Sequence, residues 1–107
     1  MNGTLAKVCC CRGDAPASVD EFAAHAQRFK ALAEPARVAI VNRLAAQGEC
    51  CVCKLVDVLG LAQPTVSHHL RVLREAGLIE QERRGTWIYY RLVPGAIEEL
   101  RSTLAPS

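Results

Sequence analysis

The sequence predicts a mainly α-helical domain with a small β-hairpin near its C-terminal end. Apolar residues recur at helical spacing from Phe22 to Leu73 and again from Ile97 to Leu104. Between these stretches, Leu78–Arg83 and Thr86–Leu92 read as two strands around Arg84-Gly85. Glycines and prolines punctuate the chain at the ends of each candidate element. With 107 residues, 50% hydrophobic and 22% charged, the chain suits one ordered domain small enough to gain from dimerisation.

Residues 1–17 hold Gly3, Gly13, Pro16 and the cysteines Cys9, Cys10 and Cys11 without an apolar period, and read as an arm. Ser18-Val19-Asp20-Glu21 matches a capping box at a helix start. A first helix then carries Phe22, Ala26, Phe29 and Leu32 along one side. Pro35 opens a second helix, where its missing N–H costs nothing, with Val38, Ile40, Val41 and Leu44 before a stop near Gly48. A short third helix runs from about Val52 to Leu59, with Gly60 suited to a left-handed C-cap. The fourth begins around Pro64 and ends by Gly77. On it Val66, Leu70 and Leu73 share one stripe, while Ser67, His68 and Arg71 point the opposite way. After the hairpin, a last helix opens at Pro94 and aligns Ile97, Leu100 and Leu104.

A helix pair followed by a β-ribbon is the order of a winged helix-turn-helix, so residues 18–107 are expected to form a DNA-binding and dimerisation domain. The apolar stripes of the first and last helices exceed what the small centre covers, which favours a two-fold dimer. Gln63, Thr65, Ser67, His68 and Arg71 then fall at the start and outward face of the helix that enters a major groove. Arg83 and Arg84, at the wing, suit backbone or minor-groove contact. The net charge of +2 adds little to this reading, although Arg71, Arg74, Arg83, Arg84 and Arg91 cluster toward that end. Bland roles compete with these: His69 as a half-buried packing residue, His25 on the surface, Trp87 to Tyr90 as strand packing, Arg37 and Arg43 as solvated helix residues.

The six cysteines fall in two clusters, Cys9-Cys10-Cys11 and Cys50, Cys51 and Cys53. Met1–Val8 has no apolar run of signal-peptide length, and no stretch approaches a membrane span of roughly 18–20 residues. A cytoplasmic protein without membrane association is therefore expected, and there clustered thiols favour ligation over disulfides. The expected partner is double-stranded DNA.

Three stretches, Phe29–Arg37, Glu49–Leu55 and Gln63–Leu70, resemble the ArsR/SmtB family of metal-sensing winged-helix repressors, and the resemblance runs from about Phe22 to Leu104. Glu49-Cys50-Cys51-Val52-Cys53-Lys54-Leu55 is similar to the family's metal box, Glu-Leu-Cys-Val-Cys-Asp-Leu, with Cys50 in place of leucine and Lys54 in place of aspartate. The resemblance implies a homodimeric repressor, not an enzyme, that leaves its operator when a toxic ion binds. Val56 stands where arsenic-sensing members often carry a third cysteine, so the implied ligand set is Cys51 and Cys53 with sulfur from Cys9, Cys10 or Cys11. From Cys11 to Ser18 an extended arm spans up to about 23 Å, enough to reach its own third helix or its partner's.

Clustered thiolates select soft ions. Three-coordinate sulfur favours As(III) or Sb(III) as inducer; a fourth sulfur favours Cd(II) or Pb(II) instead. The histidine and carboxylate ligands that harder ions require are sparse, since none of His25, His68 and His69 lies beyond the wing and the last helix offers only Glu98 and Glu99. On a regular helix Cys51 and Cys53 diverge, so either the start of the third helix unwinds to bring them together or Cys50 replaces Cys51. A thiol-redox repressor, in which Cys51 oxidises with an arm cysteine, is the alternative of a different kind.

Overall fold

A computed structural model describes residues 18–105, so the expected arm and its cysteines Cys9, Cys10 and Cys11 lie outside the described residues. A 3₁₀ turn, Val19–Phe22, leads into α1 (Ala23–Ala31), α2 (Pro35–Gln47), β1 (Cys50–Cys51), α3 (Val52–Leu59) and α4 (Gln63–Glu75), followed by β2 (Ile79–Arg84), β3 (Trp87–Leu92) and α5 (Ala96–Leu104). This is the winged helix-turn-helix order. The hairpin gains a third strand that the sequence did not suggest, giving an antiparallel sheet in the order β1-β3-β2.

One core holds the domain together. Ile40 and Leu44 of α2, Leu55 of α3, and Val66, Leu70 and Leu73 of α4 are fully buried with Leu78 and Ile79. The α4 stripe therefore packs as its periodicity predicts, leaving Ser67, His68 and Arg71 on the solvent side. Gly60 ends α3 in the left-handed region at φ 67°, which permits the sharp three-residue turn to Gln63.

Several local expectations change. The capping box does not form: Ser18 makes no side-chain cap, and its carbonyl instead accepts the Glu21 amide at 3.1 Å in the 3₁₀ turn. The hairpin turn is Gly85-Thr86 rather than Arg84-Gly85, because Arg84 pairs with Trp87 and Gly85 supplies the positive φ of 64°. The last helix starts at Ala96 with Gly95 as its N-cap, two residues beyond Pro94. Trp87 is 56% exposed rather than packed, because its position in β3 faces away from the core.

Arg37 does more than solvate α2. Its Nε donates to the Ala31 carbonyl at 2.6 Å, and its Nη1 lies 3.2 Å from His69 Nδ1. One guanidinium thus joins the end of α1, the start of α2 and α4. At the opposite side, Arg28 of α1 donates to the Ala76 carbonyl at 3.2 Å and to Glu99 of α5 at 2.7 Å. The apolar side chains of Val19, Phe22 and Leu104, beside α1 and at the end of α5, remain exposed, as the unspent stripes of those helices suggested.

Leu55→Ala should destabilise the domain by about 2–5 kcal/mol, since it empties a fully buried site between α3 and α4. Val58→Ala, on the exposed side of the same helix, should change stability by less than about 0.5 kcal/mol. Urea unfolding of both variants checks the difference.

Candidate thiol site and nucleic-acid interface

The pleat of a single short strand sorts the second cysteine cluster. Cys50 pairs with Tyr90 and Cys51 with Tyr89 across β1 and β3, so neighbouring thiols face opposite sides of the sheet. Cys50 joins Tyr90 in the core, 7% exposed. Burial there pushes its thiol pKa up, and the neighbouring Cys51 adds to the shift. Cys51 faces outward and also serves as the N-cap of α3, with extended backbone at φ −85° and ψ 161°.

That backbone removes the conflict expected between Cys51 and Cys53. Cys51 is not helical, and its Sγ lies 2.7 Å from Cys53 Sγ with α3 intact from Val52 onward. No unwinding is needed to bring the two sulfurs together. The Cys53 thiol holds Cys51 below the usual thiol range, assisted against desolvation by the Lys54 and Cys53 amides at the helix start. Cys53 is shifted up, chiefly by the same contact. The pair therefore shares one S–H between two sulfurs, either of which can donate.

The two sulfurs open onto a cleft of about 450 Å³ whose walls include Arg43, Glu49, Lys54, Asp57 and Tyr89. A soft, thiophilic ion fits this donor pair. Among the described residues no group of three His, Cys, Asp or Glu side chains converges to complete a site.

A second network spans the outer face of the sheet. Arg84 clamps Glu49 with two bonds, at 2.9 and 2.8 Å, and also reaches Glu82 at 2.9 Å. Its guanidinium carbon lies 4.5 Å from the centre of the Tyr89 ring. Arg91 extends the row to Glu80 and Glu82. Flanked by Arg84 and then Arg91, Glu82 has its pKa lowered to about 2, and Glu49 is lowered mainly by Arg84.

The face expected to meet DNA lies on the other side. Gln63, Thr65, Ser67, His68 and Arg71 are all exposed along α4. Ser67, His68 and Arg71 border a cleft of about 400 Å³ with Pro64, Arg74 and Tyr90. Arg74, half-buried and bonded to Gln81 at 2.7 Å, is a lining residue that the helical wheel did not single out. The wing arginines separate by strand parity: Arg83 shares the side of Gln81 and Tyr90, whereas Arg84 shares that of Glu82 and Tyr89. Among the described residues Arg71 and Arg83 form no ion pair, while Arg84 is already engaged with two carboxylates. His69 is half-buried as expected. Desolvation first, then the adjacent Arg37 and His68 charges, depress its pKa below 6.5, and its Nδ1 accepts from Arg37.

Two measurements follow. Alkylation of the reduced protein at neutral pH should modify Cys51 before Cys53, with Cys50 last, as resolved by peptide mass spectrometry. His69 should also set a pH trend. Its folded pKa lies below the unfolded value near 6.5, so protons bind the unfolded chain first. Stability is then lost as pH falls below about 6.5, and His69→Gln should flatten that part of the urea-midpoint profile between pH 7 and 5.

Residues 34–81 match the arsR family of bacterial regulatory proteins. An uncharacterized HTH-type transcriptional regulator of Methanocaldococcus jannaschii is 39% identical over 82 residues, covering 77% of this chain and 92% of that protein. The arsenical resistance operon repressor of Escherichia coli is 47% identical over 68 residues, which are 64% of this chain but only 58% of the repressor. The homodimeric winged helix-turn-helix DNA-binding domain of a Mycobacterium bovis protein superposes with a TM-score of 0.70 at 32% identity, covering 86% of this chain and 84% of that one. With its helix pair and wing in place, this chain belongs to the arsR family of winged helix-turn-helix transcriptional regulators.

Proposed function

We propose that the protein is a homodimeric repressor that binds a palindromic operator and leaves it when As(III) or Sb(III) is held by Cys51, Cys53 and a sulfur from Cys9, Cys10 or Cys11. The observation that carries the reading is the Cys51–Cys53 pair, 2.7 Å apart at the start of the helix that packs beneath the recognition helix. Clustered thiolates suit such soft ions, and among the described residues no histidine lines this cleft. The arsenical repressor of Escherichia coli supports the same direction. The bare α1 and α5 surfaces fit a two-fold contact between copies, and the homodimeric Mycobacterium bovis domain supports that arrangement.

Gln63, Thr65, Ser67, His68 and Arg71 would contact the groove or its phosphates, with Arg83 on the wing beside them. Half-sites are then expected about one helical turn, ~34–36 Å, or a multiple of it, apart. Cys51 belongs at once to β1 and to the cap of α3, so an ion drawing on both sulfurs loads the joint between sheet and helix. The strain acts there rather than through unwinding of α3. By linkage, operator and ion weaken each other equally, typically by ~1–3 kcal/mol.

Fluorescence anisotropy on a labelled operator tests this with reduced, anaerobic protein. Arsenite should weaken wild-type binding by about 5- to 150-fold. Cys51→Ser and Cys53→Ser should keep the ion-free affinity and lose the response, while Cys50→Ser should retain it. Replacing Cys9, Cys10 and Cys11 together should diminish the response if the arm donates the third sulfur. A response to Cd(II) but not arsenite would assign the site to the larger ions, and a response only to oxidant would assign it to thiol redox chemistry.

A further inference from the structure

The sheet order β1-β3-β2 separates the cysteine strand from the outer wing strand by a full strand, yet one side chain spans the gap. Arg84, the last residue of β2, crosses the face of β3 over Tyr89 and closes a two-bond clamp on Glu49, the residue before β1. Tyr89 is also the register partner of Cys51. The thiol, the aromatic ring and the guanidinium therefore share one face of the sheet. Glu49 faces two ways as well, since it borders the cysteine cleft while it holds the wing.

We propose that the Glu49–Arg84 clamp is the link through which occupation of the cysteine cleft reaches the wing, with Glu49 a positioning residue for induction and not a ligand or DNA contact. The inference rests on the inducer reading given above and adds the route by which it acts. Backbone pairing gives β1 only two residues of hold on β3, at Cys50 and Cys51. An ion seated between Cys51 and Cys53 must hold their sulfurs further apart than the 2.7 Å of the ion-free pair, which moves this short strand, and Glu49 moves with it. The bidentate geometry makes the clamp sensitive to such movement, because a carboxylate must stay coplanar with the guanidinium to keep both bonds. Arg84 is then drawn with Glu49 or released to Glu82, which it already contacts at 2.9 Å. In either event the strand end that carries Arg83 shifts relative to α4.

Glu49 and Arg84 are each well exposed, so the clamp contributes little to folding stability and its value lies in coupling. Trp87, the only tryptophan of the chain, pairs with Arg84 in register and is exposed at the wing, where it reports directly on this movement.

The test compares the full chain with Glu49→Gln and with the charge-reversed pair Glu49→Arg/Arg84→Glu. Operator affinity and Trp87 emission are each read with and without arsenite, and again with and without Cd(II). Glu49→Gln should unfold at the wild-type temperature, bind the ion with wild-type stoichiometry and bind operator in its absence. Its ion-induced loss of operator affinity should be smaller than that of the wild type by about fivefold, and the Trp87 change should largely vanish. The reversed pair should regain more of the response than Arg84→Glu alone. A Glu49→Gln variant that responds with the wild-type ratio overturns the clamp and leaves the inducer reading intact. A wild type that answers Cd(II) alone corrects the ion while still testing the clamp, and a wild type that ignores both ions removes the inducer reading and the clamp together.

Discussion

The structure turns on the joint at Cys51, where a two-residue strand becomes a helix without an intervening loop. The backbone of this residue must be extended to pair with Tyr89 and must also cap α3. Both demands are met by one β-region conformation, which is the usual geometry of an N-cap. Because α3 then packs through Leu55 against the same core as Val66, Leu70 and Leu73, the joint and the recognition helix answer to a single packing arrangement. Side chains in close-packed interiors do not accommodate displacement gradually. A pull at the joint is therefore felt at α4.

Polar bonds add direction to that packing. Arg37 fixes the end of α1 and the side of His69, and Arg28 ties α1 to the end of α4 and to α5. The outer sheet face uses a different device, a row of alternating charges from Glu80 through Arg91 and Glu82 to Arg84 and Glu49. Exposed pairs of this kind stabilise weakly but are readily rearranged. The helical side is thus held by bonds to buried or half-buried carbonyls, and the wing side by bonds that water can replace.

Helix periodicity made the fold legible. The Val66, Leu70, Leu73 stripe, the Gly60 turn and the outward Ser67, His68 and Arg71 were all readable because each is a local pattern with one structural solution. The cysteine pair was legible as a motif but not as a geometry. Treating Cys51 as helical implied that the sulfurs diverge, and only pairing with Tyr89, 38 positions later in the chain, places Cys51 outside the helix. The same long-range pairing hid the third strand, since two residues carry no alternation to detect. Arg84 was read as a wing-tip cation because its partner Glu49 lies 35 residues away. Turn and helix starts moved by one or two residues, at the Gly85-Thr86 turn and at Gly95, where several local signals compete.

The inward turn of Cys50 has a consequence for a cell that meets oxidants. Peroxide and other electrophiles attack accessible thiolates, and Cys50 offers them neither access nor charge. A run of adjacent sulfurs that looks indiscriminate on paper is, in three dimensions, one reactive hook beside one inert filler. Chemical damage at this end of the domain falls on Cys51 and Cys53 and spares the hydrophobic interior, so an injured molecule can keep its shape.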